Sequence, residues 1–65
     1  MYEVEQKIIN ELENNGIEVL GVEIDNTMGK VFISVGYSCC VMDTIDTIRY
    51  VVSSHYSYNT LLLDI

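Results

Sequence analysis

The feature that most constrains the fold of this chain is residues 30–42, KVFISVGYSCCVM, an alternating stretch that contains no acidic residue. Successive side chains of a β-strand point to opposite faces of the sheet. The first parity is uniformly apolar and comprises Val31, Ile33, Val35, Tyr37, Cys39 and Val41. The other parity is small and polar between Phe32 and Cys40. The segment is therefore predicted to be one buried strand, with the first parity in the core and the second facing solvent or a partner.

A helix is predicted before this strand, over residues 2–15. Its apolar side chains recur at helical spacing and share one face. They are Met1, Val4, Ile8, Ile9 and Leu12. Gly16 is the expected residue after the helix C-cap, because it tolerates a positive φ. Residues 17–25 then form the first strand, with a bulge near Gly21 where the apolar parity switches. A turn that places Gly29 in the left-handed region joins the two strands as an antiparallel hairpin.

A second helix is predicted over residues 44–54, with Asp43 as its N-cap. Ile45, Ile48, Val51 and Val52 line one face of it. Residues 56–65 are predicted to be a third strand, although a short terminal helix capped at Asn59 is the alternative. A crossover through the second helix would make the last two strands parallel.

These elements predict an α+β fold, a small two-layer domain over residues 1–65. The order is α-β-β-α-β, with both helices on one face of a three-stranded sheet. A chain of 65 residues is marginally stable unless a disulfide, a metal or a second subunit adds to its core.

Charge is the strongest global signal. Ten acidic residues oppose three basic ones, which gives a net charge of −7, and seven of the ten acids lie in the first 25 residues. Such a chain is repelled by nucleic acid and by anionic membranes, and it is attracted to basic surfaces. Ala and Pro, whose codons are GC-rich, are absent, which indicates an AT-rich genome. Such genomes normally favour Lys, yet Lys is scarce in this chain. We read this as selection against positive charge; the alternative is that the acidity serves only solubility.

The chain carries no recognisable catalytic, phosphate-binding or metal-binding motif. Cys39 and Cys40 are expected to be two small buried or half-buried thiols, and His55 a capping or packing residue. An enzyme that uses either thiol with His55 is the least favoured hypothesis. We therefore expect no enzymatic activity, no cofactor and no metal. Without a disulfide framework, a signal peptide or a membrane-spanning run, the expected location is the cytoplasm of a bacterial host cell.

The remaining candidates for function are surface residues. The outward acids expected to bind a partner are Glu11, Glu13, Glu18, Glu23 and Asp25, with Tyr50 and Tyr58 as the aromatic contacts. The run Leu61–Leu62–Leu63 places apolar side chains on both faces of the last strand, which predicts pairing with another chain, itself or a partner.

Our leading hypothesis is a non-enzymatic protein that blocks a basic, nucleic-acid-binding surface of a larger protein by presenting carboxylates in place of phosphates. In size, acidity and composition the chain resembles the small inhibitors of bacterial defence nucleases that bacteriophages carry, such as anti-CRISPR proteins. The likeness is one of general character and involves no sequence motif. The alternative is a homodimeric structural or accessory module that extends its sheet through the last strand.

Overall fold

The computed structural model describes residues 2–65 and confirms the predicted α+β class and element order. The elements are α1 (Tyr2–Asn14), β1 (Val19–Asp25), β2 (Lys30–Val35), α2 (Val41–His55) and β3 (Thr60–Asp64). Met1, which we placed on the apolar face of the first helix, lies outside the described residues.

The sheet has the order β1-β2-β3, with β2 in the centre. β1 and β2 form the predicted antiparallel hairpin, and β2 pairs with β3 in parallel, as the crossover through α2 requires. The register between β1 and β2 shifts between Val19 and Gly21, which confirms the bulge. Gly29 has a φ of 65° in the hairpin turn and Gly16 a φ of 80° after α1, so both glycines occupy the left-handed region.

The core lies between the sheet and the two helices. Both helices cover the same face of β2, because the buried apolar side chains come from one stripe of each helix and from one parity of the strand. They are Ile8 and Leu12 of α1, Val31, Ile33 and Val35 of β2, and Ile48, Val51 and Val52 of α2. Flanking strands complete this face with the partly buried Val22, Ile24, Leu61 and Leu63.

The prediction that one strand runs over residues 30–42 was wrong beyond Val35. Val35 is the last residue of β2 that pairs with β1, and β3 already ends opposite Ser34. The Gly36 N–H still donates to the Glu18 carbonyl just before β1, but the residues after Gly36 have no strand to satisfy their backbone groups, and the chain leaves the sheet. Tyr37, which we expected in the core, is 93% exposed. Val41 and Met42 lie in the first turn of α2, and both are exposed.

The start of α2 was also predicted wrongly. Cys40, not Asp43, is the N-cap residue, and it makes no side-chain capping hydrogen bond. Asp43 lies inside the first turn instead, where its negative charge interacts favourably with the helix dipole. The preceding loop is held by Ser38, whose hydroxyl lies 2.7 Å from that of the buried Thr44 and accepts a hydrogen bond from the Cys40 N–H.

The third element is a strand, as predicted, and not the alternative terminal helix. It is shorter than expected, since residues 56–59 form the connection from α2 and Ile65 follows the strand. Tyr56, Tyr58 and Asn59 anchor this connection: Tyr56 and Tyr58 pack against the core, and the Asn59 N–H donates to the Gly29 carbonyl at 2.8 Å.

Candidate protein-interaction surface

The face of the sheet opposite the helices is the candidate functional surface. Residues paired across neighbouring strands point to the same face. Buried Ile33 pairs with Val22 and Leu63, so those residues share the core face. The other parity forms what we call the open face, which comprises Gly21, Glu23 and Asp25 of β1, Lys30, Phe32 and Ser34 of β2, and Thr60, Leu62 and Asp64 of β3.

The centre of the open face is apolar. Phe32 is paired with Glu23 on one side and with Leu62 on the other, so these three side chains form one row across the sheet. Phe32 is 39% exposed and Leu62 is 45% exposed, whereas the neighbouring Ile33 is fully buried. A large aromatic and a large aliphatic side chain therefore lie side by side on an uncovered surface. Such apolar centres with polar surroundings are typical of protein–protein interfaces.

Carboxylates surround this centre. Glu23 and Asp25 lie on β1 and Asp64 lies on β3, while Lys30 is the basic residue of the face. Three carboxylates and one ammonium give the open face a formal charge of −2. A shallow open depression of about 230 Å³ lies on this surface, lined by Phe32, Leu62 and Lys30 together with the β1 acids. A cationic group that enters it meets carboxylates and apolar surface together.

The two acids of β1 differ in what else they do. Asp25 Oδ1 accepts hydrogen bonds from the Thr27 N–H at 3.0 Å and from the Met28 N–H at 3.3 Å, so it also holds the hairpin turn. The Glu23 side chain makes no hydrogen bond or ion pair with another described residue. Glu23 is therefore available to a partner without a structural task to give up.

The other acids that we predicted to bind a partner lie elsewhere. Glu11 Oε1 is 2.8 Å from His55 Nε2, so this pair connects α1 to α2 in the helical layer. Glu13 is exposed on α1. Glu18 precedes β1, and its side chain packs against Gly36, whose N–H donates to the Glu18 carbonyl. The structure thus brings Glu23 and Asp25 together and separates them from these three.

Of the two predicted aromatic contacts, neither lies on the open face. Tyr50 is 72% exposed on α2, in the helical layer. Tyr58 is partly buried and packs against the core just before β3. Sequence reasoning missed Phe32 and Asp64 as site residues. The signal was present, because Phe32 has the opposite parity to Ile33 and Asp64 has the same parity as Leu62.

The predicted dimerisation residues Leu61, Leu62 and Leu63 lie on β3, which forms one edge of the sheet. Leu61 and Leu63 are half-buried on the core face, and Leu62 lies on the open face. The apolar run therefore reaches both faces of an outer strand, as its parity predicted.

The two thiols are exposed, so the expectation that they are buried or half-buried was wrong. Their sulfur atoms lie 3.7 Å apart, because the loop before α2 turns both side chains to one side. Cys40 and His55 lie at opposite ends of α2, about 22 Å apart at the helical rise per residue. The structure does not bring a thiol to the histidine. A second cavity, of about 260 Å³, adjoins this loop and is lined by Ile17, Tyr37 and Cys39 among others.

Within residues 2–65, no group of three or more His, Cys, Asp and Glu side chains converges in a way that could hold a metal ion. Neither helix of this part of the chain has the length and apolar character needed to cross a membrane. No protein-family model, curated protein or solved structure matches the chain. The fold and the site define a two-layer α+β domain with an uncovered, acid-flanked sheet face.

Proposed function

We propose that this chain is a non-enzymatic binding protein that covers a basic, nucleic-acid-binding surface of a larger protein with its open face. The observation that carries the proposal is the central row of that face, in which exposed Phe32 and Leu62 adjoin Glu23. The apolar pair supplies area to bury, and the carboxylates supply attraction and orientation toward cationic side chains.

The size of the domain is compatible with this role. A standard interface buries about 800 Å² on each partner. The domain exposes 4235 Å² in total, so such an interface takes about one fifth of its surface. The open face and the strand edges beside it are where we place this interface, because exposed large apolar side chains and carboxylates lie there on neighbouring strands.

The charge of the whole chain favours a basic target. A net charge of −7 on 65 residues accelerates encounter with a positive surface and opposes binding to nucleic acid itself. Surfaces that hold phosphates present clustered Lys and Arg, the side chains that the open-face carboxylates fit. The acidity of the chain and the carboxylates of its open face together suit an inhibitor of a bacterial defence nuclease. Such an inhibitor would be carried by a phage or a mobile element and would act in the host cytoplasm, in the manner of anti-CRISPR proteins.

The test is capture of a partner at low salt with a matched charge control. Tagged wild-type protein is incubated with bacterial lysate and eluted with a salt gradient. The test variant is Glu23→Lys/Asp64→Lys, which changes two exposed acids of the open face. The control is Glu13→Lys/Asp46→Lys, which makes the same change in net charge on exposed helical positions. Asp25 is left intact because it holds the hairpin turn.

We expect one dominant basic protein, eluted as the salt concentration rises and captured by the wild type and the control but not by the open-face variant. The captured protein, once purified, should lose affinity for a labelled nucleic acid when the wild-type domain is added. Equal loss of capture in both variants would refute the open face as the binding surface. If no basic partner were captured by the wild type, the acidity would serve solubility and the proposal would be wrong.

A further inference from the structure

The two edges of the sheet are built differently. At the outer edge of β1, the Ile24 N–H donates to Glu5 Oε2 of α1 at 3.3 Å, and the bulge between Val19 and Gly21 interrupts the strand. Bulges and covering side chains are the usual means by which an edge strand is prevented from pairing. β3 has neither a bulge nor a Lys or Pro residue. Its outer edge is regular and apolar over Leu61–Leu62–Leu63.

The direction of the free backbone groups on β3 follows from one hydrogen bond. The Thr60 N–H donates to the Gly29 carbonyl at 3.2 Å, so Thr60 points its backbone groups toward β2. Backbone groups alternate in direction along a strand. Those of Leu62 and Asp64 therefore also point toward β2, while the N–H and C=O groups of Leu61 and Leu63 point away from the sheet.

We propose that β3 pairs antiparallel with β3 of a second copy of this chain, across a two-fold axis at Leu62. In this register Leu61 forms a hydrogen-bonded pair with Leu63 of the second copy, and the same pair recurs on the other side of the axis. Leu62 lies opposite Leu62 of the second copy, and these two residues form the non-hydrogen-bonded pair at the axis. All four outward N–H and C=O groups of each strand find a partner.

The side chains favour the same register. The sequence Thr60-Leu61-Leu62-Leu63-Asp64 is close to symmetric about Leu62 in polarity. Antiparallel pairing about this residue places leucine opposite leucine on both faces and Thr60 opposite Asp64, so the threonine hydroxyl can donate to the carboxylate. An axis at Leu63 would instead place Asp64 opposite Leu62. Of these two registers, the one at Leu62 leaves no charge against an apolar side chain.

Charge does not oppose this contact locally. Each copy carries a net charge of −7, but the carboxylate nearest the axis, Asp64, faces Thr60 and not another acid. The two Glu23 residues lie on the two β1 strands, which would be the outer strands of the joined sheet. At the spacing of neighbouring strands they are about 24 Å apart. That distance exceeds the Debye length of about 8 Å at physiological ionic strength, so their repulsion is largely screened.

The dimer would have one six-stranded sheet. Its central row would run Glu23–Phe32–Leu62 in one copy and continue in reverse order through the second, so that four large apolar side chains lie between two carboxylates. This contact is made at the edge of the sheet, where Leu62 lies at the axis, and it leaves Phe32 and the carboxylates of the open face uncovered. The inference therefore stands independently of the proposed function, and either can fail without the other.

The first test is the mass in solution, measured by sedimentation velocity over a concentration series. We expect the wild type to reach the dimer mass as concentration rises. Leu62→Lys places two like charges opposite one another at the axis and should shift the protein to monomer. Leu20→Lys is the matched control, since Leu20 is 64% exposed on β1, far from β3, and should leave the dimer unchanged. Circular dichroism checks that both variants remain folded.

The second test determines the register by cross-linking in a Cys39→Ser/Cys40→Ser background. Non-hydrogen-bonded antiparallel partners have Cα atoms about 4.5 Å apart, which a disulfide can span. Leu62→Cys should therefore give a covalent dimer under oxidation with a disulfide reagent, in which two thiols become one disulfide and the reagent is reduced. Thr60→Cys should not, because the two copies of residue 60 are about 14 Å apart along the strand.

A wild type that stays monomeric throughout the series would overturn the proposal. So would a dimer that Leu62→Lys and Leu20→Lys weaken equally, or one in which Thr60→Cys cross-links as readily as Leu62→Cys.

Discussion

Two adjacent residues of β2, Ile33 and Phe32, should lose very different amounts of stability when each is replaced by alanine. Ile33→Ala removes three carbon groups from a fully buried side chain, worth about 2.4 kcal/mol at about 0.8 kcal/mol each. The cavity left behind brings the usual cost to about 2–5 kcal/mol. Phe32 is 39% exposed on the open face, and its cross-strand neighbours are Glu23 and Leu62, so at about 0.2–1 kcal/mol for each cross-strand pair we put the cost of Phe32→Ala at about 1 kcal/mol.

The difference matters because the domain has little stability to lose. At the usual stability per residue, a 65-residue domain unfolds at a cost of about 3–10 kcal/mol. Ile33→Ala should therefore leave the protein close to its folding threshold, while Phe32→Ala stays folded. Phe32→Ala should instead weaken partner binding, by about tenfold if Phe32 is a central interface residue.

Urea unfolding followed by far-ultraviolet circular dichroism measures the stability part, since the chain has no tryptophan to report by fluorescence. With an unfolding slope of about 1 kcal/mol per molar urea, the midpoint of Ile33→Ala should fall by about 2 M or more. That of Phe32→Ala should fall by about 1 M or less. Equal shifts for the two variants would refute the assignment of one face of β2 to the core and the other to a partner.

Two further predictions concern the turns and the thiols. Gly16→Ala should destabilise the domain by about 1 kcal/mol, because a left-handed φ of 80° strains an alanine even though the space around it is empty. Gly21→Ala has equal space and no positive φ, so it should cost less than half as much in the same urea assay. Both Cys39 and Cys40 should react with iodoacetamide in the native protein, because both are exposed; mass spectrometry should show two adducts without denaturant, and a native protein that takes up only one would contradict the exposed loop.

Much of the fold could be predicted from sequence because its signals are local. Apolar spacing in residues 2–15 identified α1, and Gly16 marked its end. The parity switch at Gly21 predicted the bulge, and Gly29 predicted the hairpin turn. Each of these signals acts within a few residues, so no knowledge of distant neighbours was needed.

The errors arose where a distant partner decides the outcome. Alternation continued through residues 36–42, but no strand is available to pair with the residues after Gly36, so the chain left the sheet and α2 began at Val41. The exposure of Tyr37 and of both cysteines follows from that departure. A period-two pattern shows which residues could share a face, and it carries no information on where pairing stops.

The sequence by itself therefore determined the fold class, the hairpin, the acidity and the apolar character of both faces of the last strand, since these depend on local propensity and composition. Only the tertiary structure decided which acids lie together. Strand pairing places Glu23 and Asp64, which are far apart in the chain, on the same sheet face around Phe32 and Leu62, while Glu11 is drawn into the helical layer by His55. Register between distant strands is the physical reason, because it sets the neighbours of every side chain and no single segment encodes it.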